Sequence, residues 1–386
     1  MREDVDNVFR DERIQRAFRY ISDHEPDIEA DQIRLTMIAA PPYGEAARAR
    51  QFSEELIDLR LRPVTDSIGN VIAGYDVIGR NPVIVGAHLD TVFPPSTPLE
   101  LQRKGRRLFL PGISDNSAGI VALLWAFRAA KEFGIRFRRP VLAIGNVGEE
   151  GEGNLRGIRH LFAEPLWDGR ECEFIAVDGA GLQRITNQAL GSRRFRVRMT
   201  GPGGHSWADF GRPNPVQAMA AAIHTFCSSG TGPGSSFNVG MIRGGISVNA
   251  IPREAAMEVD LRSIAVGSLE NLEHQLRRAV AQATRESGVE CKIEMMGERP
   301  SGATSPSSAI VAATFEVTRR FGVEPQSDVG STDANIPISL GLPAIAIGAG
   351  GNSGNVHTPD EWFDPSHRDR GIQRLLALIA ALAGLD

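Results

Sequence analysis

The stretch VIVGAHLDTVFP, residues 83–94, is an apolar run that ends in two ionisable groups, His88 and Asp90. The apolar part reads as a buried strand, and in a strand residues i and i+2 face the same side. Asp90 can therefore reach one ring nitrogen of His88, fix its tautomer and leave the other nitrogen to bind a cation. A histidine merely satisfied at a strand end has the same signature, so the pair gains meaning from its company. Asp115 lies in PGISDNSAG just before an apolar helix, where capping would account for one acid. Glu149 and Glu150 follow the run VLAIGNV inside GEEGEGN, Asp178 ends FIAVD, and His357 stands in the glycine-rich loop GGNSGNVHTPDEW. In open α/β sheets ligands bind beyond the carboxyl ends of the strands, so these groups should converge in one crevice. Like charges that converge need a cation.

Imidazole and carboxylate without thiolate suit zinc, with cobalt or manganese as alternatives. Two such ions fit the donors, since Asp115, Glu150 and Asp178 with neutral His88 and His357 leave a balance that a bridging hydroxide completes. A metal pair lowers the pKa of water and clamps a tetrahedral intermediate. Glu149, adjacent to a ligand, would diverge from Glu150 in an extended loop and can face the metal-bound water as general base.

The elements that must position these groups are of two kinds. Residues 11–60 read as helices, with Phe52, Leu56 and Leu59 at helical spacing. Between residues 70 and 180 the runs NVIAGYDVI, PVIVGAHL, PVLAIGNV and FIAVD read as strands, and SAGIVALLWAFRAAKEFG reads as a helix closed by glycine. Near-continuous apolar strands alternating with helices predict an α/β fold with a mostly parallel sheet covered on both faces. From 195 to 296 the rhythm changes to strand, helix, two strands, helix, strand, the split β-α-β-β-α-β (ferredoxin-like) motif. The expected organisation is a discontinuous catalytic domain, 1–193 and 302–386, with an inserted lid or dimerisation domain at 194–301.

With 42% apolar and 23% charged residues and a net charge of -5, the chain is expected to be globular, with no nucleic-acid partner. MREDVDNVFRDERIQ has no signal-like apolar core and no segment reaches membrane-spanning length, so the expected location is cytoplasmic and no membrane is engaged. Cys172, Cys227 and Cys291 are widely spaced without a Cys-x-x-Cys pair and read as buried apolar fillers.

The motifs GAHLDTV, SDNSAG, GEEGEGN, VDGAG, GPGGHSW, GGISVNAIPREAAMEVDLRS and NVHTPDE, in that order, resemble the di-zinc metallopeptidases that include peptidase T, aminoacylase, succinyl-diaminopimelate desuccinylase and glutamate carboxypeptidase. The resemblance spans nearly the whole chain. It implies that His88, Asp115 and Asp178 hold one zinc, that Asp115, Glu150 and His357 hold the other, that Asp90 orients His88, and that Glu149 is the base. It also implies a cis peptide between Asp115 and Asn116, an oxyanion role for His205 (in one version from across a dimer interface), and substrate binding by Asn249 and Arg262. GSTDANIP, with Ser331, Thr332 and Asp333, is also similar to a family motif, and its residues read as a helix cap.

The sequence thus predicts an enzyme that cleaves an amide bond in a small peptide through a water bridging two zinc ions. Within the family it resembles, an aspartate at position 178 and not a glutamate is more similar to the aminopeptidase and aminoacylase members than to the carboxypeptidases, which implies a peptidase T-like aminopeptidase, with N-acyl amino acid deacylase or carboxypeptidase as alternatives. A homodimer through the inserted domain is expected. The reading of another class, a non-catalytic binding protein on the same fold, would not be expected to retain the full set of ionisable groups.

Overall fold

The computed structural model describes residues 2–76, 81–163 and 171–386. The strand reading of Val77 and Ile78 lies outside the described residues. The chain divides into two compact units, 1–189 with 303–386, and 190–302.

The first unit opens with four helices, Arg2–Arg10, Glu12–Asp23, Glu25–Thr36 and Ala46–Asp58. Asp11 caps the second, accepting from the backbone N–H groups of Arg13 and Ile14. A nine-stranded sheet forms the centre of this unit. Its four middle strands, Val141–Asn146, Val83–His88, Glu173–Val177 and Ala344–Ile347, are parallel neighbours in that order. Every residue of Val83–His88 is buried, and alternate residues pack into different cores. Val83, Val85 and Ala87 join the cluster that contains the helices Ser117–Glu132 and Arg368–Ala383. Ile84 joins Ile144, Phe174 and the helix Arg156–Ala163 on the other face. Burial on both faces is why these strands read as unbroken apolar runs.

The strands that flank these four on either side run against them. The strand Val71–Asp76 runs antiparallel to Val141–Asn146, and Arg184–Ala189 runs antiparallel to Ala344–Ile347. A smaller four-stranded sheet joins Asn352–Gly354 and Trp362–Asp364 to two short strands, Gln102–Lys104 and Arg107–Phe109.

In the second unit the strands Gly191–Thr200, Ser235–Gly244, Glu254–Ser263 and Glu290–Arg299 make an antiparallel sheet. The helices Pro215–Ser228 and Val266–Ser287 supply Met219, Phe226, Leu272 and Leu276 to a core shared with Phe195, Val197, Met257 and Leu261 of the sheet. The strict buried and unburied alternation along Glu254–Ser263 reflects a sheet with one apolar face. The molecule therefore has the α/β architecture with an inserted β-α-β-β-α-β unit that the rhythm of the sequence predicts. Two thiols depart from expectation. Cys172 is buried, whereas Cys227 and Cys291 are exposed.

Candidate metal centre

The parallel strands deliver their carboxyl ends to one edge of the sheet. Val83–His88 ends in His88, Val141–Asn146 leads to Glu149 and Glu150, and Glu173–Val177 leads to Asp178. Asp115 comes from the loop before the helix Ser117–Glu132, and the Asp115–Asn116 peptide is cis. His357 stands in the loop between Asn352–Gly354 and Trp362–Asp364, with φ at 66°.

These side chains meet. His88 Nε2 lies 3.0 Å from Asp115 Oδ1 and 3.7 Å from Asp178 Oδ1. His357 Nε2 lies 2.9 Å from both Asp115 Oδ2 and Glu150 Oε1. Two triads result, His88–Asp115–Asp178 and Asp115–Glu150–His357, each with donor atoms within 4.8 Å of one another. Asp115 belongs to both, with one oxygen toward each imidazole. Glu149 is buried and forms a further grouping with His88 and Glu150 inside the same 4.8 Å limit.

The protonation balance shows how much negative charge is concentrated here. Burial alone would depress His88, but the carboxylates of Asp115, Asp178 and Asp90 overcome it and hold the imidazole well above its ordinary range. His357 is pushed up to about 10 by Asp115 and Glu150. Burial works to raise Asp115, yet the two imidazoles pull it far below the usual carboxylate range. Asp115 Oδ1 is nevertheless buried, and the His88 Nε2 atom 3.0 Å away is not aligned to hydrogen-bond it. A buried carboxylate oxygen in that condition, facing an imidazole nitrogen and a second carboxylate, has the surroundings of a cation ligand. The donors are imidazole nitrogen and carboxylate oxygen only, so the residues fit a pair of divalent cations of the zinc type.

Asp90 is fully buried, and its carboxylate accepts from the backbone N–H of Glu149 at 3.0 Å and of Glu150 at 2.7 Å. His88 Nδ1 lies 3.1 Å from the Asp90 backbone carbonyl and 3.7 Å from its carboxylate. Asp90 thus touches His88 through its main chain and grips the Glu149–Glu150 turn with its side chain. Beneath it, fully buried Arg48 donates to the carbonyls of Leu89 and Ile38.

Several residues of the setting carry no signal at the level of residue type. Glu361 is fully buried, and its carboxylate accepts from the backbone N–H groups of Gly112, Ser114 and Asp115. Burial pushes it up to about 7 against those three donors. It fixes the loop that presents Asp115. Asn116 caps the helix through Gly119 N–H and also accepts from Gly179 N–H while donating to Val177 O, which ties Asp115 to the Asp178 strand end. A Cβ at Gly119 would lie 2.2 Å from Asn116 Oδ1, so only glycine allows that approach.

The cap reading of Asp333 is corrected. The short helix Asn335–Ser339 has no side-chain cap, and Asp333 turns inward to accept from Asn146 Nδ2 at 2.7 Å. Its side chain is buried and pushed up to about 7 by that burial.

His205, Asn249 and Arg262 belong to the second unit. His205 is exposed, and its Nδ1 accepts from the N–H groups of Trp207 and Ala208. With Nδ1 accepting, Nε2 is the ring nitrogen left to donate. Asn249 is adjacent, its carbonyl accepting from Ser206 N–H. Arg262 lies on the sheet and bonds Asp260 at 2.6 Å.

Residues 84–381 match the model of peptidase family M20/M25/M40. Carboxypeptidase G2 of a Pseudomonas species is 22% identical, over 85% of this chain and 82% of its own. Among solved structures, aminopeptidase PepT of Bacillus cereus has a TM-score of 0.78 at 19% identity, covering 93% of this chain and 99% of that one. The YXEP protein of Bacillus subtilis, a dinuclear metal-binding peptidase, has a TM-score of 0.72 at 14% identity, over 94% and 99% of the two chains. No helix among the described residues is long and apolar enough to cross a membrane. With three quarters of its length matched and an acid-rich centre at the strand ends, the chain belongs to peptidase family M20/M25/M40 and is a hydrolase of that family.

Proposed function

We propose that the protein is a peptidase T-like aminopeptidase, which removes the first residue of a small peptide with the aid of two divalent metal ions, zinc being the choice the donors favour. The observation that carries this reading is the sharing of Asp115, one oxygen toward each imidazole, between two complete donor triads. His88, Asp115 and Asp178 would hold one ion, and Asp115, Glu150 and His357 the other. Divalent cations supply Lewis acidity, which polarises a carbonyl and acidifies water.

The chain's own groups do the rest. Asp90 clamps the backbone of Glu149 and Glu150, so the base and a ligand are positioned together. Glu149 takes the proton of the attacking water and returns it to the leaving amine. His205, exposed and with Nδ1 taken up by its own turn, is the donor assigned to the oxyanion. Asn249 and Arg262 are assigned to the substrate. The second unit exposes Trp207, Phe210, Ile246 and Val248, which supports a homodimer formed through it; sedimentation of monomer alone at micromolar concentration counts against that.

The likeness in fold to PepT supports the aminopeptidase. The relationship to carboxypeptidase G2, and to a succinyl-diaminopimelate desuccinylase 23% identical over 311 residues, favours the second reading, a carboxypeptidase or N-acyl amino acid deacylase. Mass-spectrometric analysis of the zinc-loaded protein with tripeptides bearing free or acetylated N-termini separates them. Loss of the first residue from free peptides supports the aminopeptidase. Release of the last residue, or cleavage confined to the acetylated set, moves the assignment to the second reading.

A further inference from the structure

Asp115 and Asp178 line a cavity of about 350 Å3 whose other walls hold Arg184, Thr186, Asp328 and Ser353. Arg184 is the sole cationic side chain among the described residues that line it. Its position follows from topology. The strand Arg184–Ala189 runs antiparallel to Ala344–Ile347, pairing Ile185 with Ile347, so its first residues lie beside the carboxyl ends of the parallel strands. That is the edge from which Asp178 emerges. The strand Gln326–Gly330 runs parallel beside it and sets Gln326 against Arg184 and Asp328 against Thr186. A Cβ at Gly330 would come within 2.9 Å of Thr186 Cγ2, so glycine keeps this wall thin.

Arg184 Nη1 and Asp328 Oδ2 are 3.7 Å apart, and the two side chains are 76% and 32% exposed. This is an ion pair too long for a hydrogen bond and open to solvent, and such pairs hold weakly. The guanidinium can therefore exchange Asp328 for a better acceptor at little cost. A substrate carboxylate set with both oxygens on the planar fork of arginine is such an acceptor, a contact that Asp328 at 3.7 Å does not make. Thr186 and Ser353 add neutral hydroxyl donors to the same walls.

Building on the amide-hydrolase reading, we propose that Arg184 is a specificity-determining residue that binds a substrate carboxylate, so that the preferred substrates carry an acidic residue beside the scissile amide. The test compares metal-loaded, full-length protein on peptides that differ only in Glu against Gln on either side of that bond. The parent enzyme should favour Glu by roughly 10- to 100-fold in kcat/KM, mostly through KM. Arg184→Gln should bring the Glu/Gln ratio near one, Arg184→Lys should restore part of it, and Asp328→Asn should raise it. A ratio unchanged by Arg184→Gln, or a parent enzyme without preference for Glu, overturns the proposal. Calorimetry with N-acetylglutamate and N-acetylglutamine gives a second reading independent of turnover. If the parent hydrolyses none of the panel, the amide-hydrolase reading fails. Discrimination between the two ligands that is lost in Arg184→Gln then still supports the anion site, and equal binding overturns it.

Discussion

Across the outer face of the second unit's sheet, Arg196 meets Glu258 at 2.8 Å and Arg194 meets Asp260 at 3.3 Å, each side chain partly open to water. At the carboxyl edge of the first unit's sheet, Asp90, Asp115, Glu149, Glu150 and Asp178 gather around His88 and His357, and most are buried. Both set acids beside nitrogen bases, arginine on the face and histidine at the edge. The sheet face alternates charge between neighbouring strands and is satisfied by itself, so it implies no ligand. The centre concentrates one sign in a poorly hydrated place and leaves Asp115 Oδ1 without an aligned hydrogen bond, an arrangement that added positive charge stabilises. Arrangement, and not composition, separates a solvated surface from a reactive site.

The sharpest way to break this comparison is to remove the one acid in the centre assigned to chemistry and not to binding. Glu149→Gln keeps shape and removes the base. It should lower kcat by about 10²- to 10⁴-fold while the metal content stays at that of the parent. Metal content by mass spectrometry and turnover on the same sample decide it. Loss of metal together with activity would make Glu149 a ligand, and full activity would remove it from the mechanism.

The next effect lies one layer out. Glu361 holds three backbone N–H groups of the loop that presents Asp115. Glu361→Gln replaces one acceptor oxygen by a donor amide and should weaken metal affinity by roughly 10- to 100-fold. Titration against a chelator of known affinity measures this, and parent-like affinity would show that the loop holds its shape without the carboxylate.

Glu361 also shows why part of the site escapes a reading of the sequence. His88, Asp115, Glu150 and Asp178 follow apolar runs, and a strand buried on both faces announces where it ends. Glu361 sits in TPDEW, where an acid after a turn looks like any solvated one, and its partners lie 246 to 249 residues away. Asp333 looked like a cap because Ser, Thr and Asp before a helix usually are, yet burial against Asn146 won. Arg184 opens RITNQA, a strand without an apolar run to mark it. The fold class was legible from periodicity. What periodicity cannot give is the fate of a polar side chain whose partner is distant in the chain.

The concentration of acid has a consequence in pH. Without metal, His357 is pushed up to about 10 by Asp115 and Glu150, so at neutral pH it carries a proton that a cation must displace. His88 is raised in the same direction. Metal binding should therefore release protons, and apparent affinity should fall as pH drops from about 9 to 6, near tenfold per unit for each proton displaced. Calorimetry in buffers of different ionisation heat counts the protons. Binding at pH 8 without proton release would show neutral imidazoles and a weaker field than the geometry implies.

The smallest effect belongs to the alternating face. Arg196 and Glu258 side chains are 38% and 32% exposed, and each is flanked by further charges of both signs on neighbouring strands. Water and salt compete for both partners, and two long side chains must be ordered for one contact. A double-mutant cycle with Arg196→Ala and Glu258→Ala should give a coupling of about 1 kcal/mol or less, falling further in high salt. The cycle is read from urea unfolding of the full-length protein, with kcat followed in parallel and expected to hold. A coupling of several kcal/mol would mean that this face is dehydrated in the working protein, and the contrast with the metal centre would then need a covering partner to explain it.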